Sequence, residues 1–172
     1  MILEGFRKKS NEKYLNKLVS ERHVNVDDNK IESLGVIVNI DENIDVELFK
    51  TLAEELKIHP NKLKVITFSE NVKDDVISWD NCYNPKDFGW KGRIKNVELE
   101  SFLDLKLDAL ISYYEEEILE LKCITAASKA KLKVGILQTD ERINDLIIKT
   151  NIKEFHVFKT ELFKYLTILN KI

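Results

Sequence analysis

The chain has 172 residues, of which 44% are hydrophobic and 33% are charged, and its formal net charge is −3. This composition excludes a wholly disordered chain, and the five glycines and two prolines exclude collagen-like and flexible-linker sequences. The acidic balance excludes a protein that is attracted to nucleic acid by its overall charge. The length favours a single domain over residues 1–172.

The first half of the chain predicts a helix followed by a strand–helix–strand unit. Apolar residues at near-helical spacing predict a helix over 6–21. The almost uninterrupted apolar run 36–40 is typical of a strand that is covered on both faces. Asp45 can cap the next helix, which ends near His59 and Pro60, and a second strand is predicted over 64–68. A strand–helix–strand unit with a short connection from the helix to the second strand is typical of a parallel sheet.

The second half begins with a long segment, 70–96, that shows little periodicity. Regular patterns then resume up to the C-terminal helix, which is predicted over 153–171. Before it, they predict a helix over 97–105, a strand over 110–113, a helix over 116–130, and strands over 133–137 and 146–148. The last strand follows too closely for an intervening helix, so it is either an antiparallel edge or is reached by a tight irregular connection.

This alternation predicts the α/β class. We expect a single three-layer Rossmann-like domain, with a mainly parallel sheet of four to five strands and helices on both faces.

The compartment is predicted from the cysteines and from the N-terminal sequence. Cys82 and Cys123 cannot form a disulfide framework, and two reduced thiols are typical of a cytoplasmic protein. The first residues lack the apolar core of a secretory signal, and no window resembles a membrane span. We therefore expect a cytoplasmic protein with no membrane partner.

Acidic residues follow the predicted strands, where ligands bind in doubly wound sheets. The residues that could form a small enzyme's acid–base or Mg²⁺ site there are Asp41, Glu70, Glu115 and Glu116. The alternative interpretation is that these carboxylates only stabilise helix N-termini. Glycine-rich phosphate loops and the common metal and nucleophile motifs are missing, so we expect no cofactor and no bound metal.

The segment from 79 to 95 interleaves aromatic and cationic side chains, a combination that can bind a protein or stack on bases. We predict binding residues at Trp79, Tyr83, Phe88, Trp90, Lys91 and Arg93. The alternative interpretation is a loop whose aromatic rings pack onto the edge of the sheet. The N-terminal helix leaves a similar choice open. Arg7, Lys8 and Lys9 could contact anionic lipid or RNA. Because Glu4, Glu12 and Glu21 dilute this patch, the favoured interpretation is a solvated helix that docks through Tyr14 and Leu18.

Three segments carry a resemblance to known families: KDFGWKGRIK (86–95), DALIS (108–112) and SKAKLKVG (128–135). With them, the chain resembles a family of short uncharacterised proteins from Bacteroidota. That family has no assigned activity, so the resemblance identifies no catalytic residues in this chain. Residues 107–135 are also similar to part of the N-terminal domain of heptosyltransferase-like glycosyltransferases. That resemblance implies a shared fold fragment only, because those enzymes need a second Rossmann-like domain.

The sequence therefore predicts a non-catalytic binding module that acts through the 79–95 loop. We expect a protein partner, with RNA as an alternative and a homodimer as a further one. The competing hypothesis is the small enzyme with its site on the acidic edge of the sheet.

Overall fold

A computed structural model describes residues 2–71 and 82–172. Its helices are α1 (Ile2–Ser20), α2 (Glu47–Glu55), α3 (Val97–Asp104), α4 (Leu119–Ala127) and α5 (Phe155–Ile168). Its strands are β1 (Leu34–Asn39), β2 (Leu63–Phe68), β3 (Cys82–Tyr83), β4 (Ala109–Tyr113), β5 (Leu132–Gly135) and β6 (Leu146–Ile147). No described helix is long and apolar enough to cross a membrane.

The six strands form one sheet in the order β3-β2-β1-β4-β5-β6, and every neighbouring pair is parallel. The prediction of a parallel-dominated α/β sheet is therefore confirmed, although four to five strands was an underestimate. The additional strand is β3, within the segment predicted to be irregular. The last strand, β6, is parallel and is reached by the irregular connection 136–145, which was one of the two alternatives.

Alternate residues of the central strands face two separate cores. Val36 and Val38 of β1 pack against α2 and α5, whereas Ile37 packs with α1, α3 and α4. All six residues of β1 are buried, which explains its nearly continuous apolar sequence. The result is the expected three-layer arrangement with helices on both faces of the sheet.

The segment 70–96 is more ordered in its described part than its sequence suggests. Residues 82–83 form β3, Pro85–Asp87 form a 3-10 turn, and Phe88 makes an antiparallel bridge with Ile94. Residues 87–95 form a short hairpin, called here the 87–95 hairpin, because Lys95 N–H donates to the Asp87 carbonyl and Gly89 N–H to the Arg93 carbonyl.

Candidate functional site

The strand order changes direction between β1 and β4, and ligands bind at this point in open parallel sheets. Here the crevice is filled by the chain's own side chains. Glu42 Oε1 accepts the backbone N–H groups of Glu115 and Glu116 at 2.9 Å each. Asn39 Nδ2 donates to Glu116 Oε2 at 3.1 Å. A carboxylate of this protein thus occupies the N–H groups that an anionic ligand would need.

The other acidic residues of the edge also bind backbone groups. The Asp41 carboxylate accepts the Ser69 hydroxyl at 2.6 Å and the Glu70 N–H at 2.8 Å. The Glu115 carboxylate accepts the N–H of Ile152. These bonds connect the loops that follow the strands, which is a structural task for the carboxylates.

Two carboxyl groups at this edge are harder to ionise than usual. Burial raises the pKa of Glu42, although the two N–H groups it accepts oppose that shift. Burial also raises the pKa of Glu70, with further contributions from the negative charges of Glu120, Glu116 and Asp41. Among residues 2–71 and 82–172, no group of three acidic, histidine or cysteine side chains is placed to hold a metal ion.

Of the two cysteines, Cys123 adds no nucleophile to this edge. Both are free, and Cys123 is buried beneath α1. Burial raises the pKa of its thiol to about 12, so the reactive thiolate is scarce at neutral pH.

The predicted aromatic residues of the 79–95 loop fall into three groups. Trp79 lies outside the described residues. Tyr83 and Phe88 are buried in the core beneath α3, where the Phe88 ring meets the Phe68 ring edge-on at 6.3 Å. Both therefore belong to the packing that orders the loop, and we leave them out of the binding surface. Trp90 differs, because 48% of it is exposed.

Trp90 begins a tight turn at the tip of the 87–95 hairpin. The Arg93 N–H donates to the Trp90 carbonyl at 3.1 Å, which closes a four-residue turn. Its central residues, Lys91 and Gly92, have φ values of 55° and 72°. Positive φ at both positions is the requirement of a type I′ turn, and glycine meets it without steric cost. The turn exposes Trp90, Lys91 and Arg93 together.

The hairpin tip is fixed to α1 by a buried asparagine. Asn11 is 4% exposed, its side-chain amide donates to the Gly89 carbonyl at 3.0 Å, and its oxygen accepts the Gly92 N–H at 3.0 Å. The Ser10 hydroxyl accepts the Lys91 N–H at 3.2 Å. The Tyr14 ring covers Gly92 so closely that a methyl group there would lie 2.0 Å from Cε1. The position of Trp90 is therefore set by α1.

These contacts place the hairpin beside one strip of α1. Phe6, Ser10, Lys13 and Lys17 have the spacing i, i+4, i+7 and i+11, so they share a helix face. Phe6 is 58% exposed, and Lys13 and Lys17 are exposed. We call the combined surface the Trp90 face. It consists of Phe6, Lys13, Lys17, Trp90, Lys91 and Arg93.

Two segments that are far apart in the sequence concentrate positive charge on this face. Residues 6–17 contribute Lys13 and Lys17 to the face, and residues 86–95 contribute Lys91 and Arg93, so the face carries four positive charges in a chain whose net charge is −3. Lys13 and Lys17 were not among the predicted binding residues, although the helical spacing of residues 6–17 places them on one face with Phe6. That spacing could not reveal the Asn11 contacts, since they join residues 78 and 81 positions apart. Lys8 points away from the strip and lines a cavity with Glu70.

The model of a family of unknown function, DUF6913, matches residues 7–169. No curated protein and no solved structure matches the chain.

Proposed function

The chain belongs to the family of unknown function DUF6913, and we propose that it is a non-catalytic binding module whose contact surface is the Trp90 face. The observation that carries this proposal is the half-exposed tryptophan on a turn whose backbone is fixed by Asn11. A large aromatic ring that is held in place loses little conformational entropy on binding. Tryptophan and arginine are also the side chains that most often dominate binding energies.

The charge of the Trp90 face determines the chemistry of the partner. Lys13, Lys17, Lys91 and Arg93 are all exposed, and no acidic residue lies within the helix strip or the 90–93 turn. Such a surface attracts an anionic partner, either an acidic protein or a nucleic acid, and speeds its association. A second copy of the chain is a poor partner for this face, since two identical cationic surfaces repel each other.

The acidic edge of the sheet supports an enzyme less well. Asp41, Glu115 and Glu116 are hydrogen-bonded to neighbouring loops, and Glu42 occupies the crevice in which a ligand would bind. The filled crevice also argues against the binding of a sugar nucleotide. We therefore propose that residues 107–135 share only a fragment of the fold with heptosyltransferase-like domains. A cytoplasmic location and an origin in Bacteroidota remain proposals as well, the first supported by the two free cysteines.

Affinity capture with a paired control tests the binding module. The double variant Trp90→Ala, Arg93→Ala is immobilised beside the wild type and exposed to cytosol of the source organism. The control is Ile168→Ala, Lys153→Ala, which removes one exposed hydrophobic side chain at the end of α5, in the opposite helical layer, and one exposed cationic side chain in the loop before α5.

We expect wild type and control to retain the same species, the Trp90 variant to lose it, and all melting temperatures to agree within about 2 °C. Retention by the Trp90 variant, or a large fall in its melting temperature, would contradict the proposal.

A further inference from the structure

We infer that the anionic partner of the Trp90 face is single-stranded nucleic acid. This inference rests on the proposed function, because it names the partner of the same surface. It begins from the composition of the face, in which three lysines, one arginine and two aromatic rings are brought together by the Asn11 contacts.

The lysine content separates nucleic acid from protein as the partner. The centres of protein–protein interfaces are depleted in lysine, because a strongly hydrated ammonium group is costly to bury against another protein. Lys13, Lys17 and Lys91 are exposed, and none of them is hydrogen-bonded to a carboxylate within residues 2–71 or 82–172. A phosphate backbone contacts lysine without burying it and gains free energy by releasing counterions. The face is therefore better matched to a chain of phosphates than to an apolar protein surface.

The aromatic rings supply the second requirement. Proteins bind single strands by combining a cationic track with exposed rings on which bases stack, and this mode tolerates any base sequence. Trp90 is exposed and precedes Lys91, whose N–H donates to the Ser10 hydroxyl of the helix strip, and Phe6 is exposed one helical turn before Ser10. In a duplex the bases are already stacked on each other, so the rings have no partner there. This favours a single strand over a duplex.

The dimensions of the face also fit a short single strand. From Phe6 to Lys17 the strip covers eleven helical steps, or roughly 16 Å at about 1.5 Å per residue. Single-stranded sites of other modules span about 4–16 nucleotides. We therefore expect a small site with a few phosphate contacts.

Fluorescence of Trp90 tests the inference, because stacking on a base quenches an indole ring. The chain has two tryptophans, so the experiment uses the variant Trp79→Phe, in which Trp90 is the only one left. The probes are an oligouridylate and an oligothymidylate of about ten nucleotides, which distinguish RNA from DNA. We expect quenching with both oligonucleotides. The association constant should fall more than tenfold as the salt concentration rises from about 50 to 200 mM.

Three variants in the same background locate the contacts. Trp90→Ala, measured with a labelled oligonucleotide, should weaken binding about tenfold or more, as expected for the loss of one stacked base. Lys13→Gln, Lys17→Gln should lower the salt dependence by an exponent of about 1.4, since each phosphate contact in a single strand contributes about 0.7. Ile168→Ala, Lys153→Ala should change neither quantity.

Two further probes separate this inference from the proposed function. One is a polyglutamate peptide, and the other is a vesicle of anionic phosphatidylglycerol, included because Ile2 and Leu3 are exposed at the start of α1. If either binds in a Trp90-dependent manner and the oligonucleotides do not, nucleic acid is the wrong partner and the binding face stands. If Trp90→Ala changes the binding of neither the oligonucleotides nor these two probes, the inference is overturned. The proposal that the Trp90 face binds polyanions then fails with it.

Discussion

Replacing Gly92 by alanine tests whether α1 holds the hairpin that carries Trp90. Gly92 has a φ of 72°, and a Cβ atom there would lie 2.0 Å from Tyr14 Cε1 and 2.1 Å from Cδ1. An L-residue in the left-handed region costs about 1–2 kcal/mol. The ring of Tyr14 must also move by more than an ångström, and such overpacking costs roughly 1–3 kcal/mol. We expect Gly92→Ala to lower the free energy of unfolding by about 2–5 kcal/mol.

The assay is urea unfolding followed by circular dichroism, with two controls. In a Tyr14→Ala background the clash is removed, so Gly92→Ala should then cost only the backbone part, about 1–2 kcal/mol. Gly5 lies in α1 with open space around it, so Gly5→Ala should stabilise the protein by up to about 1 kcal/mol. If Gly92→Ala unfolds within about 0.5 kcal/mol of wild type, Tyr14 does not cover the turn and the reasoning fails.

Three further variants test the core, a buried lysine and the turn. Ile111→Ala removes a side chain that is 1% exposed in the central strand β4, so unfolding free energy should fall by about 2–5 kcal/mol; an unchanged urea midpoint would contradict the strand assignment. Burial is the main reason that the pKa of Lys133 is lowered to about 8. Above pH 8 the unfolded chain therefore binds more protons than the folded protein does. The free energy of unfolding should rise by about 1–2 kcal/mol from about pH 7.5 to 9.5. Lys133→Met should abolish that rise in urea titrations, and an unchanged pH dependence would refute the assignment. Lys91 has a φ of 55°, a conformation that asparagine adopts at a lower cost than lysine. Lys91→Asn should therefore raise the free energy of unfolding by up to about 1 kcal/mol and weaken oligonucleotide binding. A variant that loses both stability and binding would show that the Lys91 side chain stabilises the turn.

The fold could be predicted from the sequence because each central strand is buried on both faces. β1 and β4 have all of their residues buried, and this leaves continuous apolar runs between amphipathic helices. β3 could not be predicted, since only two residues, Cys82 and Tyr83, pair with β2. A pairing this short leaves no periodicity in the sequence. The parallel direction of β6 also depends on contacts with β5 that a pattern of three apolar residues does not contain.

The candidate surface could be predicted only in part. Trp90, Lys91 and Arg93 stood out because aromatic and cationic residues alternate there, but Tyr83 and Phe88 belong to the same pattern and are buried. Composition cannot separate these two sets, since burial depends on which side of the hairpin faces the core. The contribution of α1 depends on Asn11, whose hydrogen bonds bring a distant cationic segment to the hairpin.

For the acidic edge of the sheet, the sequence predicted where the residues lie but not what their carboxylates bind. The candidates were chosen by their position after the strands, and the strand order does bring Asp41, Glu115 and Glu116 to the same end of the sheet. What position alone could not show is that backbone N–H groups already engage the carboxylates of Asp41, Glu42 and Glu115.

Amide chemical-shift mapping tests the central claim most directly, because it compares the Trp90 face with the acidic edge in one experiment. The ¹⁵N-labelled protein is titrated with an oligouridylate of about ten nucleotides. The account predicts that shifts concentrate in residues 6–17 and 86–95 and disappear in the Trp90→Ala, Arg93→Ala variant. Shifts centred on 39–42, 69–71 and 115–120, or no shift at all, would contradict it.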